Sequence, residues 1–169
     1  SNGEIPPALL RPCVDQYRIT VDQAITASPA DIDSTWERVD TGGQGTTTTL
    51  QVSQTSGKFG FPVTGIYLVT LHCQIARTAT NIDLITAKVI HSTNAFADDS
   101  TNTTLAQSVL GVTGSLPKEV AALSTVVNVT NTTTQRIKFT IEADDTGSEL
   151  DGDSTFNSTY ATFLRMVGT

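Results

Sequence analysis

Residues 144–153 read Asp-Asp-Thr-Gly-Ser-Glu-Leu-Asp-Gly-Asp, the densest run of potential ligands in the chain. Carboxylates gathered on one loop can supply the about six to eight oxygens that calcium takes, and Asp144, Asp145, Asp151 and Asp153 are the candidates for such a site. The spacing departs from a helix-flanked calcium loop, because the regular ligand positions and the closing glutamate are missing. The plainer reading is a solvated acidic turn. Trp36, the only tryptophan, offers a flat face for a sugar ring, or else fills a gap in the core. The two histidines, His72 and His91, end apolar stretches and read as packed or surface groups. No Gly-x-Ser-x-Gly elbow, His-Glu-x-x-His pair or glycine-rich phosphate loop accompanies them, so the sequence predicts no enzyme and no catalytic residue. Cys13 and Cys73 fit two separate thiols or one disulfide tying the start of the chain to a central strand, and no Cys/His spacing suits zinc. No cofactor is expected, calcium being the one exception.

The elements that carry these groups are strands. The 169-residue chain is 38% hydrophobic and 16% charged, with a formal net charge of −7 and thirty threonines. Branching at Cβ favours extended backbone, so threonine together with valine and isoleucine points to a pleated structure. The acidic balance and scattered basic residues exclude a phosphate-binding surface and a nucleic-acid partner. No stretch reaches the ~20 apolar residues that span a bilayer as a helix, so no membrane partner is expected. No secretory leader is visible at the start. Strand-like runs cover 17–25, 36–39, 47–54, 58–63, 66–77, 81–93, 105–116, 124–130, 136–143 and 160–167, with turn signals between them. A turn of helix is expected near 117–123, and loops over 94–104 and 144–157. The prediction is an all-β antiparallel sandwich of about eight to ten strands over residues 17–169. Residues 1–16 form an extended arm: Ile5, Pro6, Pro7, Leu9 and Leu10 are apolar or lack an N–H, which suits docking on another surface.

Residues 57–72, Gly-Lys-Phe-Gly-Phe-Pro-Val-Thr-Gly-Ile-Tyr-Leu-Val-Thr-Leu-His, are the most informative stretch. A strand should end at Pro62 and the chain turn at Gly65. The strand that follows has apolar residues on both faces, so both faces need cover. In an antiparallel sandwich one face packs inward and the other against a second subunit. Phe59, Pro62, Gly65 and Tyr67 at this spacing resemble the run Gly-x-Phe-x-x-Pro-x-x-Gly-x-Tyr in the globular heads of complement C1q-type and tumour-necrosis-factor-type proteins. The aromatic closing stretch from Tyr160 to Leu164 is similar to that family's last strand.

The resemblance implies a ten-stranded jelly roll assembled as a tight homotrimer. On its implication Tyr67, Val69, Leu71, Tyr160, Phe163 and Leu164 are the trimer-interface candidates. The family's collagen-like stalk is missing, and the Thr/Asn-rich, low-charge surface resembles viral and bacteriophage versions of the fold. The expected function is therefore a virion structural protein, a trimeric capsid decoration or cement protein on the capsid surface. Its arm would hold it to the major capsid protein or another virion protein. Two alternatives stand beside it: the receptor- or glycan-binding head of a phage fibre or spike reading a host-surface glycan, and a secreted C1q/TNF-like ligand.

Overall fold

The computed structural model describes residues 13–33, 35–40, 49–77, 83–112, 118–144 and 147–167. Ile5, Pro6, Pro7, Leu9 and Leu10 of the arm, and Asp145 of the acidic loop, lie outside the described residues. The strands are β1 (Val14–Ile19), β2 (Gln23–Ala24), β3 (Ala30–Asp31), β4 (Trp36–Arg38), β5 (Ser53–Thr55), β6 (Lys58–Gly60), β7 (Gly65–Arg77), β8 (Asp83–Ser92), β9 (Thr103–Val112), β10 (Lys118–Val129), β11 (Arg136–Ala143), β12 (Ser148–Leu150) and β13 (Tyr160–Val167). A 3-10 turn, Asp99–Thr101, interrupts the loop between β8 and β9.

All pairings are antiparallel. In the first sheet β7 is central: β10 runs along one edge, while β13 and then β12 take the other, followed by β1 and β4 beyond β13 and β2 beyond β12. The second sheet runs β5-β6-β11-β8-β9, with β3 beside β11. The two sheets face one another as a jelly-roll sandwich, the predicted all-β class.

The core follows from strand alternation. Tyr67, Val69, Leu71, Cys73 and Ile75 of β7, Ala161 and Phe163 of β13, and Tyr17 and Ile19 of β1 meet Phe59, Ile85, Ala87, Val89, Ile137, Phe139 and Ile141 from the second sheet. Phe59 sits at the middle of an aromatic cluster, with ring centroids 5.1 Å from Phe163, 5.3 Å from Tyr17 and 5.4 Å from Phe139. Polar tips entering this region are satisfied: the Tyr17 hydroxyl donates to Val52 O at 2.6 Å and the Tyr67 hydroxyl to Val63 O at 2.8 Å. Burial pushes both phenols up to about 12. Cys13 and Cys73 are both buried and not joined in a disulfide; the Cys13 thiol donates to Leu50 O at 2.9 Å, and burial pushes Cys73 up to about 12.

Among the described residues three charged side chains are buried, Arg18, Arg165 and, most completely, Asp15. Asp15 is fully buried; its Oδ1 is 3.1 Å from Arg38 Nε and its Oδ2 accepts from Val52 N at 2.8 Å. Burial pushes its carboxyl up, against the opposing pull of Arg38. The pair ties β1 and β4 to residues 51–52, since Arg38 also donates to Gln51 Oε1 at 3.0 Å.

Several elements differ from the sequence expectation. The helical turn near 117–123 is instead the first half of β10, paired residue by residue from Lys118 opposite Ala76 to Val129 opposite Gly65. The long free edge of β7 overrides the helix preference of Ala121-Ala122-Leu123. The strand over 17–25 breaks at 20–22, and β1 starts earlier, at Val14. Cys13–Gln16 therefore belong to the domain rather than to the arm. The loop 144–157 contains β12, because Leu150 and Ser148 point inward and are buried. Gly65 does not turn the chain; it is the first residue of β7, at φ 150°, and the bend lies just before it. Ser56 (φ 47°) and Gly57 (φ 70°) form the two-residue turn between β5 and β6. A side chain at Gly57 would press on the Asp33 backbone at 2.7 Å.

Candidate assembly surface

Strand β7 answers the question its sequence poses. Its odd-numbered residues from Gly65 to Ile75 are buried, and its even-numbered residues from Ile66 to Gln74 are half-buried on the outside of the first sheet. Tyr67, Val69 and Leu71, with Phe163 of β13, thus belong to the interior of the protomer. They cannot form an intersubunit contact. Of the six interface candidates only Tyr160, half-buried, and Leu164, 38% exposed, lie on the outer face.

Register turns that outer face into rows. Val14 of β1, Leu164 of β13, Leu68 of β7 and Val126 of β10 stand side by side across four strands. Next comes a hydroxyl and amide row, Gln16, Thr162, Thr70 and Ser124, in which Gln16 Nε2 donates to Thr162 Oγ1 at 2.9 Å. The third row is Arg18, Tyr160, His72 and Ala122. In it the His72 and Tyr160 rings stack at 4.9 Å and 20°. His72 Nδ1 lies 3.1 Å from Ser158 O; a carbonyl only accepts, so this nitrogen carries the proton. Beside the stack a depression of about 320 Å3 is lined by Thr70, His72, Ser124 and Tyr160, among others. Val120, Val126, Met166 and Val167 are 47 to 60% exposed around these rows.

The chain has ten basic and seventeen acidic residues. None stands at the outward positions 66–74 of β7, 120–128 of β10 or 160–166 of β13. A solvated sheet face would carry charge; the centre of a subunit interface is depleted of it. Ile66, Leu68, Val120, Val126 and Met166 on this face were not among the sequence candidates. The alternation of 66, 68 and 70 against 67 and 69 was visible, but nothing in the sequence said which set faced inward.

The other sequence candidates are not brought together. Asp144 Oδ1 accepts from Leu84 N at 2.6 Å, Asp151 pairs with Lys118 Nζ at 2.7 Å, and Asp153 Oδ1 accepts from Thr155 N at 2.6 Å. Each carboxylate is spent on its own stretch of chain, and among the described residues no three potential metal ligands cluster. Hydrogen bonds from Thr155 hold the Asp153 carboxyl below the usual range, and the bond that Lys118 donates to Asp151 raises Lys118. Trp36 meets Phe59 edge to face, with centroids 5.3 Å apart and planes at 83°, and its Nε1 donates to Ile32 O. It packs against one end of the core as a partly buried ring. His91 is half-buried, and its Nε2 accepts and donates no hydrogen bond within the described residues. Desolvation lowers its pKa from the ordinary 6.5.

No sequence-family profile matches this chain, and no curated protein sequence matches it. Solved structures do. Murine APRIL at pH 5.0 matches with a TM-score of 0.64 at 13% identity, over 92% of this chain and 100% of that one. The Eiger TNF of S. frugiperda matches with a TM-score of 0.61 at 14% identity, over 94% and 96%. Murine APRIL at pH 8.5 gives 0.59 at 14% identity. The chain has the tumour-necrosis-factor-like jelly-roll fold.

Proposed function

We propose that this protein is a non-enzymatic structural component that assembles as a homotrimer through the outer face of the first sheet. The observation that carries this reading is the uncharged run of outward positions 66–74 of β7, 120–128 of β10 and 160–166 of β13, with Leu68 at the centre of an apolar row between Leu164 and Val126. Two sister copies are the natural cover, because resemblance to the C1q and tumour-necrosis-factor heads implies threefold assembly. A standard interface removes about 800 Å2 from each partner, and an obligate one more, enough to outweigh association costs.

The finer role we propose is decoration or cementing of a virus shell, with residues 1–12 reaching the major capsid protein or another virion protein. The Thr/Asn-rich, weakly charged composition and the proline-rich arm support it. A secreted ligand is the second reading, favoured by the structural likeness to Eiger TNF. Deleting residues 1–12 tests the proposal. The expected result is an intact trimer that no longer binds particles stripped of this protein. A deletion that dissolves the trimer, or that binds particles as well as the full chain does, refutes the anchoring role.

A further inference from the structure

The opposite side of the sandwich carries a second feature, independent of assembly. On the outside of the second sheet, Ile90 of β8 stands opposite Lys138 of β11 and Thr104 of β9, and Lys88 of β8 stands opposite Thr140 of β11. These residues floor a basin of about 280 Å3. Pro29 walls it on one side, and Asp99 and Asn102 on the other.

The basin is polar but balanced in charge. Lys88 Nζ lies 2.6 Å from Glu142, and Lys138 Nζ 2.8 Å from Asp31. Lys138 also sits 5.2 Å from the centroid of the Phe96 ring. Each ammonium is thereby neutralised and fixed in place. Each has three N–H groups, so it can still donate to a ligand. Asn102 commits Nδ2 to Asp99 Oδ1 at 2.7 Å. Its Oδ1 is buried and accepts no hydrogen bond within the described residues. A buried acceptor of this kind calls for a donor.

The wall that holds Asn102 is built rather than slack. Ser92, fully buried, accepts through Oγ from the backbone N–H groups of Asn94 and Phe96 at 3.2 and 3.1 Å. Ala95 N donates to Thr134 O at 2.7 Å. Ala95 and Phe96 are held at φ 58° and 60°, a left-handed conformation that non-glycine residues adopt at a cost.

We propose that this basin binds one residue of a neutral carbohydrate. The ligand must donate to Asn102 Oδ1 and Asp99, accept from Lys88, Lys138 and the Thr104 hydroxyl, and lay an apolar edge on Ile90. Hydroxyl groups do both kinds of bonding without carrying charge; an ionised carboxylate only accepts, and it or a phosphate would bring negative charge against Asp99. The volume lies at the low end for ligand pockets, roughly 300 Å3 and upward, which suits a single ring.

The test is a 1H–15N NMR titration of the assembled protein with the methyl glycosides of glucose, galactose, mannose and N-acetylglucosamine, against sialic acid and inorganic phosphate. At least one neutral glycoside should shift the amides of Ile90, Asn102, Thr104 and Thr140 with a millimolar Kd. Asn102→Ala and the surface change Thr104→Val should each weaken that binding about tenfold, the loss of one hydrogen bond, and leave the rest of the spectrum in place. Three results overturn the proposal: no neutral glycoside shifts these amides at tens of millimolar, only sialic acid or phosphate does, or binding survives both variants.

Discussion

Leu68 and Leu71 lie three residues apart on β7 and face opposite ways, so substitutions there separate assembly from folding. Leu71 is 1% exposed, within the sandwich. Leu68 is half-buried in the protomer, with Val126 56% and Leu164 38% exposed on either side. Leu68→Asp removes no core contact, and the protomer should keep its far-UV circular dichroism. In a trimer it places three carboxylates in a dry, uncharged seam. Leu68 gives up about 1 kcal/mol of remaining apolar burial per copy, half of what burying a leucine contributes. An unpaired buried carboxylate adds several kcal/mol per copy. Over three copies the penalty is on the order of 10 kcal/mol, about seven powers of ten in the assembly constant. Leu71→Ala behaves differently, costing about 2–5 kcal/mol of folding stability while leaving the folded subunits able to associate. Sedimentation velocity at micromolar concentration, run with thermal melts, reads both effects. The reasoning fails if Leu68→Asp sediments as wild type does, or if the wild-type protein is a stable single polypeptide.

Two further outcomes follow from groups inside the fold. Arg38→Met strands the Asp15 carboxylate without its partner at 3.1 Å and should cost about 3–5 kcal/mol, read as a drop in Tm. Adding Asp15→Asn should recover part of it, and a melt unchanged by Arg38→Met alone would show the pair to be dispensable. His91 has a folded pKa lowered by desolvation, so the unfolded chain binds the extra proton first as pH falls. Its contribution is fully present above the unfolded value of 6.5 and is lost as pH drops from there through the folded value. Stability of the wild type relative to His91→Gln, measured by urea melts from pH 7.5 to 5, should fall along that window; a constant difference would contradict it.

Strands with one buried face were legible because their side chains alternate. β11 and β13 come out with the expected bounds, since Ile137, Phe139 and Ile141 interleave with Lys138, Thr140 and Glu142, and Tyr160 through Val167 form one uninterrupted extended run. The elements that escaped are those whose state is set by a partner. β10 carries a helix-prone Ala121-Ala122-Leu123, but the open edge of β7 supplies twelve residues of ladder that an isolated helical turn cannot match. β12 is three residues of an acidic loop drawn into the sheet by Leu150, and no local pattern marks so short a strand.

The proposed assembly surface was half legible for a related reason. An apolar run on both faces of a strand says that two covers exist, but period-2 alternation is symmetric and does not say which cover is the protomer's own core. The resemblance misled here, pointing to Tyr67 and Phe163 as the contact when those rings pack with Phe61 and Phe59 inside. The more telling sign was charge. Outward positions 66–74 of β7, 120–128 of β10 and 160–166 of β13 carry none, while the outward positions of β11 on the other sheet hold Arg136, Lys138 and Glu142. A face that evolves in water accumulates charged groups at little cost; one that meets a partner cannot, because each must be desolvated. Sorting outward positions by charge, once register is known, therefore separates the face that assembles from the face left open to a ligand.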